Sequence, residues 1–138
     1  MKKTLMLVAL LVALPRFAPA QKPEGDPFGR YLYPPELVMS HQEAIGLTER
    51  QRTAIQEAVV ETQKKAIDTQ FKLASVAEKL TRSLGGVTVE ETAVLQMVDQ
   101  VLAAERDVKR AQISLLVRIK NQLTADQQGM LDKFRKQG

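Results

Sequence analysis

The sequence has 138 residues, no cysteine and a formal net charge of +4 at pH 7. The absence of cysteine excludes disulfides and thiolate metal ligands, so the fold must be stabilised by apolar packing or by association. The length suits one modest domain.

The first 20 residues predict a secretory signal. Lys2 and Lys3 precede an apolar run over residues 4–14, and Ala18–Ala20 reads Ala-Pro-Ala, an A-x-A cleavage site. The apolar run is much shorter than the roughly 20 residues that span a bilayer. We expect an exported, periplasmic protein that begins at Gln21 and has no stable membrane insertion.

Cleavage of this signal changes the charge balance. Lys2, Lys3 and Arg16 are removed, which leaves 17 basic against 16 acidic residues, a net charge of +1. Phosphate binding needs a concentrated excess of Lys and Arg, so a nucleic-acid partner is not expected. Arg16 interrupts the segment before the cleavage site and leaves an uncleaved anchor open as an alternative.

Residues 21–34 predict an extended N-terminal arm, because Pro and Gly recur and no periodicity is present. The arm includes Phe28, Tyr31, Leu32 and Tyr33. Two alternatives remain open for these side chains: they pack over the helices, or they bind a partner.

A helical domain is predicted over residues 35–138. Pro35 suits the first turn of a helix that runs to Ile45 and ends at Gly46. Leu47-Thr48-x-x-Gln51 follows, and its Thr and Gln predict a capping box that begins a second helix reaching Leu84. Gly85-Gly86 then breaks the helical pattern.

A third helix is predicted from Val89 to about Asn121, with Thr88 and Glu91 as its capping box. The Leu-Thr-x-x-Gln pattern returns as Leu123-Thr124-x-x-Gln127 and predicts a fourth helix from Thr124 to about Arg135. The two long helices should fold back on each other as an antiparallel hairpin, because only three residues separate them. The predicted fold class is therefore all-α, with four helices: a long hairpin with a short helix at each end.

Both long helices carry an apolar seam with alternating spacings of four and three residues, as in coiled coils. The seam of the second helix contains Ile55, Val59, Thr62, Ala66, Thr69, Leu73, Val76 and Leu80. That of the third contains Val94, Val98, Val101, Glu105, Val108, Gln112, Leu115 and Ile119. A second apolar set has no place in the seam of a simple hairpin: Ile67, Phe71, Leu95, Leu102, Ile113 and Leu116. These residues indicate a dimer or a surface that binds a client protein.

Glu105 and Gln112 interrupt the third helix's seam. A register centred on Gly85-Gly86 places them near Ala66 and Val59, which cannot pair with them. Either this part of the hairpin is open to water as a partner-binding face, or the helix is rotated and both residues lie at the rim. The first alternative predicts a face flanked by three cations, Arg106, Lys109 and Arg110.

Catalysis is not expected. The sequence has no Ser or Cys near a His in a nucleophile pattern, no glycine-rich phosphate loop and one histidine, His41. A transition-metal site would depend on His41 with Met39 and Glu43, of which only Met39 and Glu43 have helical spacing. A lone histidine near a helix end is more often a cap or a surface residue. No cofactor is therefore expected.

The doubled Leu-Thr-x-x-Gln motif, the export signal, the absence of cysteine and the long hairpin resemble the periplasmic Spy/CpxP group and its heavy-metal-resistance relatives. The resemblance covers about residues 34–134, and the segments 35–48 and 118–124 are most similar to metal-sensor members. It implies a homodimeric, curved, all-helical cradle without catalytic activity. Such a protein binds unfolded or regulatory proteins in envelope stress, or senses metals.

The metal-sensor pattern of this group is mostly absent. Its histidine pair in the first helix falls on Leu37 and His41, and its His and Met before the second motif fall on Leu115 and Ile119. The main hypothesis is therefore a chaperone-like or regulatory protein. The alternative is a metal-binding sensor or resistance protein that uses His41, Met39 and Glu43.

Overall fold

The structure is a computed structural model and describes residues 27–138. The predicted signal and its cleavage site lie outside the described residues. Over residues 27–138 the fold is all-helical, as predicted, with four α-helices: α1 (Pro35–Ser40), α2 (Glu49–Leu84), α3 (Glu91–Gln122) and α4 (Ala125–Gln137). A one-turn 3₁₀ helix, Gly29–Tyr31, precedes them.

Helices α2 and α3 form the long antiparallel hairpin. At a rise of 1.5 Å per residue, each is about 50 Å long. The predicted seam of α2 is confirmed, because all eight of its residues are buried or half-buried. The helices pack along this seam from the end that carries both Leu-Thr motifs, the motif end, to the glycine connection.

The first helix is shorter than predicted, because it ends before the expected Ile45. Helix α1 ends at Ser40, and His41 is its C-cap. Residues 41–46 form turns, in which the N–H of Leu47 donates to the carbonyl of Gln42. Gly46 has a φ of 63°, a left-handed conformation that glycine adopts without strain, but it is not the C-cap of α1 as predicted.

The predicted capping box of Thr88 and Glu91 is wrong. Glu90 is the N-cap of α3, and its carboxylate accepts the N–H of Ala93 at 2.8 Å. Helix α3 therefore begins two residues later than predicted, and the connection covers residues 85–90. The centre of this longer connection lies after Gly85-Gly86, so the register of the hairpin shifts towards the C-terminus of α3.

A compact apolar core lies at the motif end, where α1 and α4 close the hairpin. Its members are Tyr33, Val38, Ile45, Leu47, Ile55, Ile119, Leu123 and Leu131. Three of them come from the segments before and between α1 and α2. The short helices thus cover the end opposite the glycine connection, as predicted.

The N-terminal segment of residues 28–33 packs over the motif end, the first of the two alternatives for the arm. Tyr33 is buried in the core, whereas Phe28 and Tyr31 are exposed. The Lys120 ammonium donates to the carbonyl of Tyr31 at 2.8 Å, and the Arg135 guanidinium donates to the carbonyls of Gly29 and Leu32. Two cations from α3 and α4 therefore hold this segment by its backbone.

Candidate functional site

Both Leu-Thr-x-x-Gln motifs form the predicted capping boxes. The N–H of Gln51 donates to the Thr48 hydroxyl at 3.2 Å, and the Gln51 side-chain oxygen accepts the Thr48 N–H at 3.0 Å. Thr124 and Gln127 repeat the arrangement at 3.2 and 2.9 Å. Each box satisfies N–H groups that the first turn of a helix leaves without partners.

The two glutamines also bind each other. The Gln51 amide nitrogen donates to the side-chain oxygen of Gln127 at 2.8 Å, and the Gln127 amide nitrogen donates back at 3.0 Å. Gln51 also donates to the carbonyl of Gln122 at 2.6 Å, and Gln127 to the carbonyl of Gly46 at 3.4 Å. In both cases the acceptor is the residue that precedes the motif leucine.

We call this arrangement the glutamine clasp: Gln51, Gln127 and the two carbonyls that they bind. It is nearly symmetric, since each motif contributes the same donors and acceptors to the other. Gln127 is only 6% exposed, so its polar atoms depend on these partners. The clasp ties the start of α2 to the start of α4, and its role in the described structure is to close the motif end.

His41 lies at the C-cap of α1 and stacks on the ring of Phe134 of α4, with the ring centroids 4.2 Å apart. Its Nδ1 lies 2.9 Å from the carbonyl of Leu37. Met39 packs against the core, and Glu43 is exposed in the following turns. Within residues 27–138, no group of three or more His, Cys, Asp or Glu side chains is arranged to hold a metal ion.

One broad face of the hairpin carries a set of exposed apolar side chains. Successive residues of an α-helix are rotated by about 100° around the helix axis. Because α2 and α3 face each other through their seams and run in opposite directions, the residue after each seam residue points to the same side of the hairpin on both helices. Val60 and Ile67 occupy such positions on α2, and Leu95 and Leu102 occupy them on α3. With Ile113 on the same side, these five residues are each 51–62% exposed, and we call them the apolar face.

The opposite face of the hairpin is charged. Residues that directly precede seam residues include Glu61, Lys65, Asp68 and Lys72 on α2, all exposed. The Arg118 guanidinium donates to Glu61 at 2.8 Å, and this hydrogen bond lowers the pKa of the exposed Glu61 carboxyl below its ordinary value. The hairpin as a whole is therefore amphipathic, because one of its two sides carries exposed apolar residues and the other carries charged residues.

The seam of α3 differs from the prediction at Glu105 and Gln112. Both are exposed, and the half-buried residues at these levels are Ala104 and Ala111. The helix is therefore rotated so that both polar residues lie at the rim, the second of the two alternatives. Small side chains at the seam let the two backbones approach, so neither polar group loses its contact with water.

The predicted partner-binding cations differ in their surroundings. Arg106 lies 3.6 Å from its neighbour Asp107. Within residues 27–138, Lys109 and Arg110 form no ion pair. Lys109 directly follows the seam residue Val108 and so lies on the side of the apolar face, whereas Arg110 borders a depression with Glu61 on the charged side. The predicted cluster is thus divided between the two faces.

Sequence reasoning missed Lys120 and Arg135, which hold the N-terminal segment. It also missed the contact between the two glutamines. A single basic residue in an amphipathic helix gives no sign of a contact with a residue more than 80 positions away. The repeated motif did indicate the glutamine pair, because each amide keeps unused hydrogen-bond donors and acceptors that the other can satisfy.

Comparison of the chain with models of known protein families, with curated proteins and with solved structures gives no match. Over residues 27–138, none of the helices is both long enough and apolar enough to cross a membrane.

Proposed function

We propose that the protein is a non-enzymatic, periplasmic protein of the Spy/CpxP kind, which binds client proteins or a sensor partner in envelope stress. The observation that supports this proposal best is the apolar face on a hairpin about 50 Å long. Contiguous exposed apolar surface on a soluble domain usually marks an interaction site. The charged opposite face keeps the other side of the hairpin in water.

The same face is the proposed contact in a homodimer. Stable association of two chains buries about 800 Å² on each partner, and a face formed by two long helices offers that extent. The reading as a binding protein also agrees with the sequence, in which no catalytic pattern stands out and the excess positive charge belongs largely to the export signal.

The test measures how far the purified protein suppresses aggregation of an unrelated unfolding protein. Replacing Ile67 and Leu102 together by Gln removes apolar side chains from the face, and we expect a several-fold loss of suppression without a loss of helicity. The matched control replaces Lys65 and Lys72 by Gln on the charged face and should retain full suppression. Equal activity of both variants would contradict the proposal.

Sedimentation velocity on the same variants separates dimerisation from client binding. If the apolar face holds two copies together, the Ile67 and Leu102 variant should sediment as a monomer at concentrations at which the wild type is a dimer. A wild-type monomer that still suppresses aggregation would restrict the proposal to client binding alone.

A further inference from the structure

The N-terminal segment that crosses the motif end is held largely through its backbone. We call residues 29–33 the strap. The Arg135 guanidinium donates to two carbonyls of the strap, and the Lys120 ammonium donates to a third, that of Tyr31, at 2.8 Å. Every polypeptide has such carbonyls. These bonds therefore position the strap without depending on its side chains.

One side chain of the strap is buried. Tyr33 is 3% exposed and belongs to the apolar core at the motif end. The Arg135 guanidinium lies 5.1 Å from the centre of its ring, and the Lys120 ammonium lies 5.9 Å from it. Burial raises the pKa of Tyr33, and the nearby Asp132 carboxylate raises it further, so the phenol is held in its neutral form. The motif end thus has a pocket for one tyrosine ring, with donors for the backbone that precedes it.

The remainder of the strap has no such specific requirement. Tyr31 is 52% exposed, and Gly29 and Arg30 are exposed as well. No residue of the strap has a positive φ, so the single 3₁₀ turn at its start does not depend on glycine, and other sequences can form it. The bonds of exposed groups are largely offset by the bonds to water that they replace. The strap is therefore fastened chiefly at Tyr33.

We propose that the strap occupies a binding site for tyrosine-containing segments of unfolded client proteins, and that such a segment displaces the strap by placing its own tyrosine in the Tyr33 pocket. The strap itself shows the chemistry of the occupant, which is a short turn with three bonded carbonyls beside an aromatic ring. Main-chain bonds give affinity for many sequences, and one pocket gives selectivity. The inference rests on the proposed function and adds a second client site, separate from the apolar face.

The strap is then a competitor within the same chain. A ligand that must displace it binds with an apparent affinity reduced by the fraction of molecules in which the site is open. Substitutions that weaken the strap should therefore increase the affinity for a client segment. A strap that is only a structural part of the fold predicts no such increase.

Three fluorescein-labelled peptides of six residues with blocked ends test the site by fluorescence anisotropy. The first has the sequence of residues 28–33, Phe-Gly-Arg-Tyr-Leu-Tyr. The second has alanine in place of the first five residues, and the third has alanine in place of the last tyrosine alone. We expect the first two to bind within about threefold of each other and the third to bind at least about tenfold more weakly.

Two variants weaken the strap and leave the donors of the site in place. Tyr33→Ala empties the pocket, and Tyr31→Ala removes an exposed ring that lies 5.9 Å from the Lys120 ammonium. We expect the first peptide to bind about tenfold more tightly to Tyr33→Ala and about threefold more tightly to Tyr31→Ala. Circular dichroism checks the fold of both, and Tyr31→Ala decides the matter if the core variant does not fold.

Substitutions on α3 and α4 test the donors. Adding Lys120→Gln and Arg135→Gln to Tyr31→Ala opens the site and also removes the groups that bind the backbone, so the gain in affinity should be lost. The matched control adds Lys133→Gln and Lys136→Gln, which remove two exposed cations of α4. This control should keep the affinity of Tyr31→Ala.

Displacement of the strap can be observed directly, because the chain has only two tyrosines and both belong to the strap. Protein labelled with fluorotyrosine should give two ¹⁹F resonances, one from the buried Tyr33 and one from the exposed Tyr31. Saturation of the wild type with the first peptide, without its fluorescein, should move the Tyr33 resonance to the position of an exposed tyrosine.

Several results would overturn this inference. They are peptide binding that leaves the Tyr33 resonance unchanged, equal binding of the third peptide, or a folded strap variant that binds no more tightly than the wild type. If aggregation suppression depends on Ile67 and Leu102 while no variant binds the peptides, the proposed function stands and this inference fails. If the peptide displaces the strap while the wild type suppresses no aggregation, the site stands and the proposed function fails.

Discussion

The glutamine clasp yields the sharpest stability prediction. Gln127→Ala removes a side chain that is 6% exposed and deletes the bond to the Thr124 N–H at 2.9 Å and two bonds with Gln51 at 2.8 and 3.0 Å. At about 0.5–1.5 kcal/mol net for each bond, the free energy of unfolding should fall by about 2–4 kcal/mol. Thr48→Ala and Thr124→Ala lose a single cap and should cost about 1 kcal/mol each.

A double-mutant cycle isolates the contact between the glutamines. The free energies of unfolding of Gln51→Ala, Gln127→Ala and the double variant are measured by urea denaturation. We expect a coupling energy of about 1–2 kcal/mol, because the second substitution removes bonds that the first has already broken. Gln70→Ala, at an exposed position of α2, is the control and should change stability by less than about 0.5 kcal/mol.

Additive effects in this cycle, to within about 0.5 kcal/mol, would mean that the two amides do not interact and would contradict the glutamine clasp. A second result would refute the structural role of the motif. If Gln127→Ala abolished aggregation suppression at unchanged unfolding free energy, the motif would be a contact for clients.

Four further predictions follow from the site. Burial, and then the neighbouring Asp132 carboxylate, raise the pKa of Tyr33. The neutral Tyr33 hydroxyl therefore stabilises the fold below its unfolded pKa of about 10, and this stabilisation is lost as the pH rises further. Tyr33→Phe should flatten the fall in melting temperature between about pH 9 and 12. Isothermal titration with zinc, copper, nickel and cobalt should show no submicromolar site that is lost in His41→Ala, at protein concentrations above any dimer dissociation constant. Glu105→Leu with Gln112→Leu should change the free energy of unfolding by less than about 0.5 kcal/mol, because both positions are exposed, and stabilisation above 1 kcal/mol would indicate a buried seam. Mass spectrometry of the exported protein should give Gln21 as its first residue, and an intact N-terminus in the membrane fraction would contradict this.

The sequence predicts those parts of the fold whose causes are local. The caps at Thr48 and Thr124 and the start of α1 at Pro35 each depend on residues within one helical turn, and all three are found where the pattern placed them. The overlong first helix shows the limit of this reasoning. Its periodicity continues past Ser40, but the chain must turn earlier to bring Ile45 into the core.

The register of the hairpin could not be predicted in the same way, because it depends on which of two competing caps begins α3. Thr88 and Glu90 both precede the helix with a suitable side chain, and the sequence gives no ground for preferring Glu90. A difference of two residues at the connection is carried along the whole hairpin. It therefore alters which side chains face each other several turns away from the connection.

The rotation of α3 has a physical cause that the heptad pattern conceals. A strict seam through Glu105 and Gln112 would desolvate a carboxylate and an amide without partners, at a cost of several kcal/mol. Rotating α3 about its axis by less than the roughly 100° that separates successive residues brings Ala104 and Ala111 into the seam. Both polar groups then remain in water. The rotation sacrifices little packing, since alanine fits between closely spaced helices. It also turns Glu105 and Gln112 towards the side of the apolar face, because each of them then directly follows a seam residue.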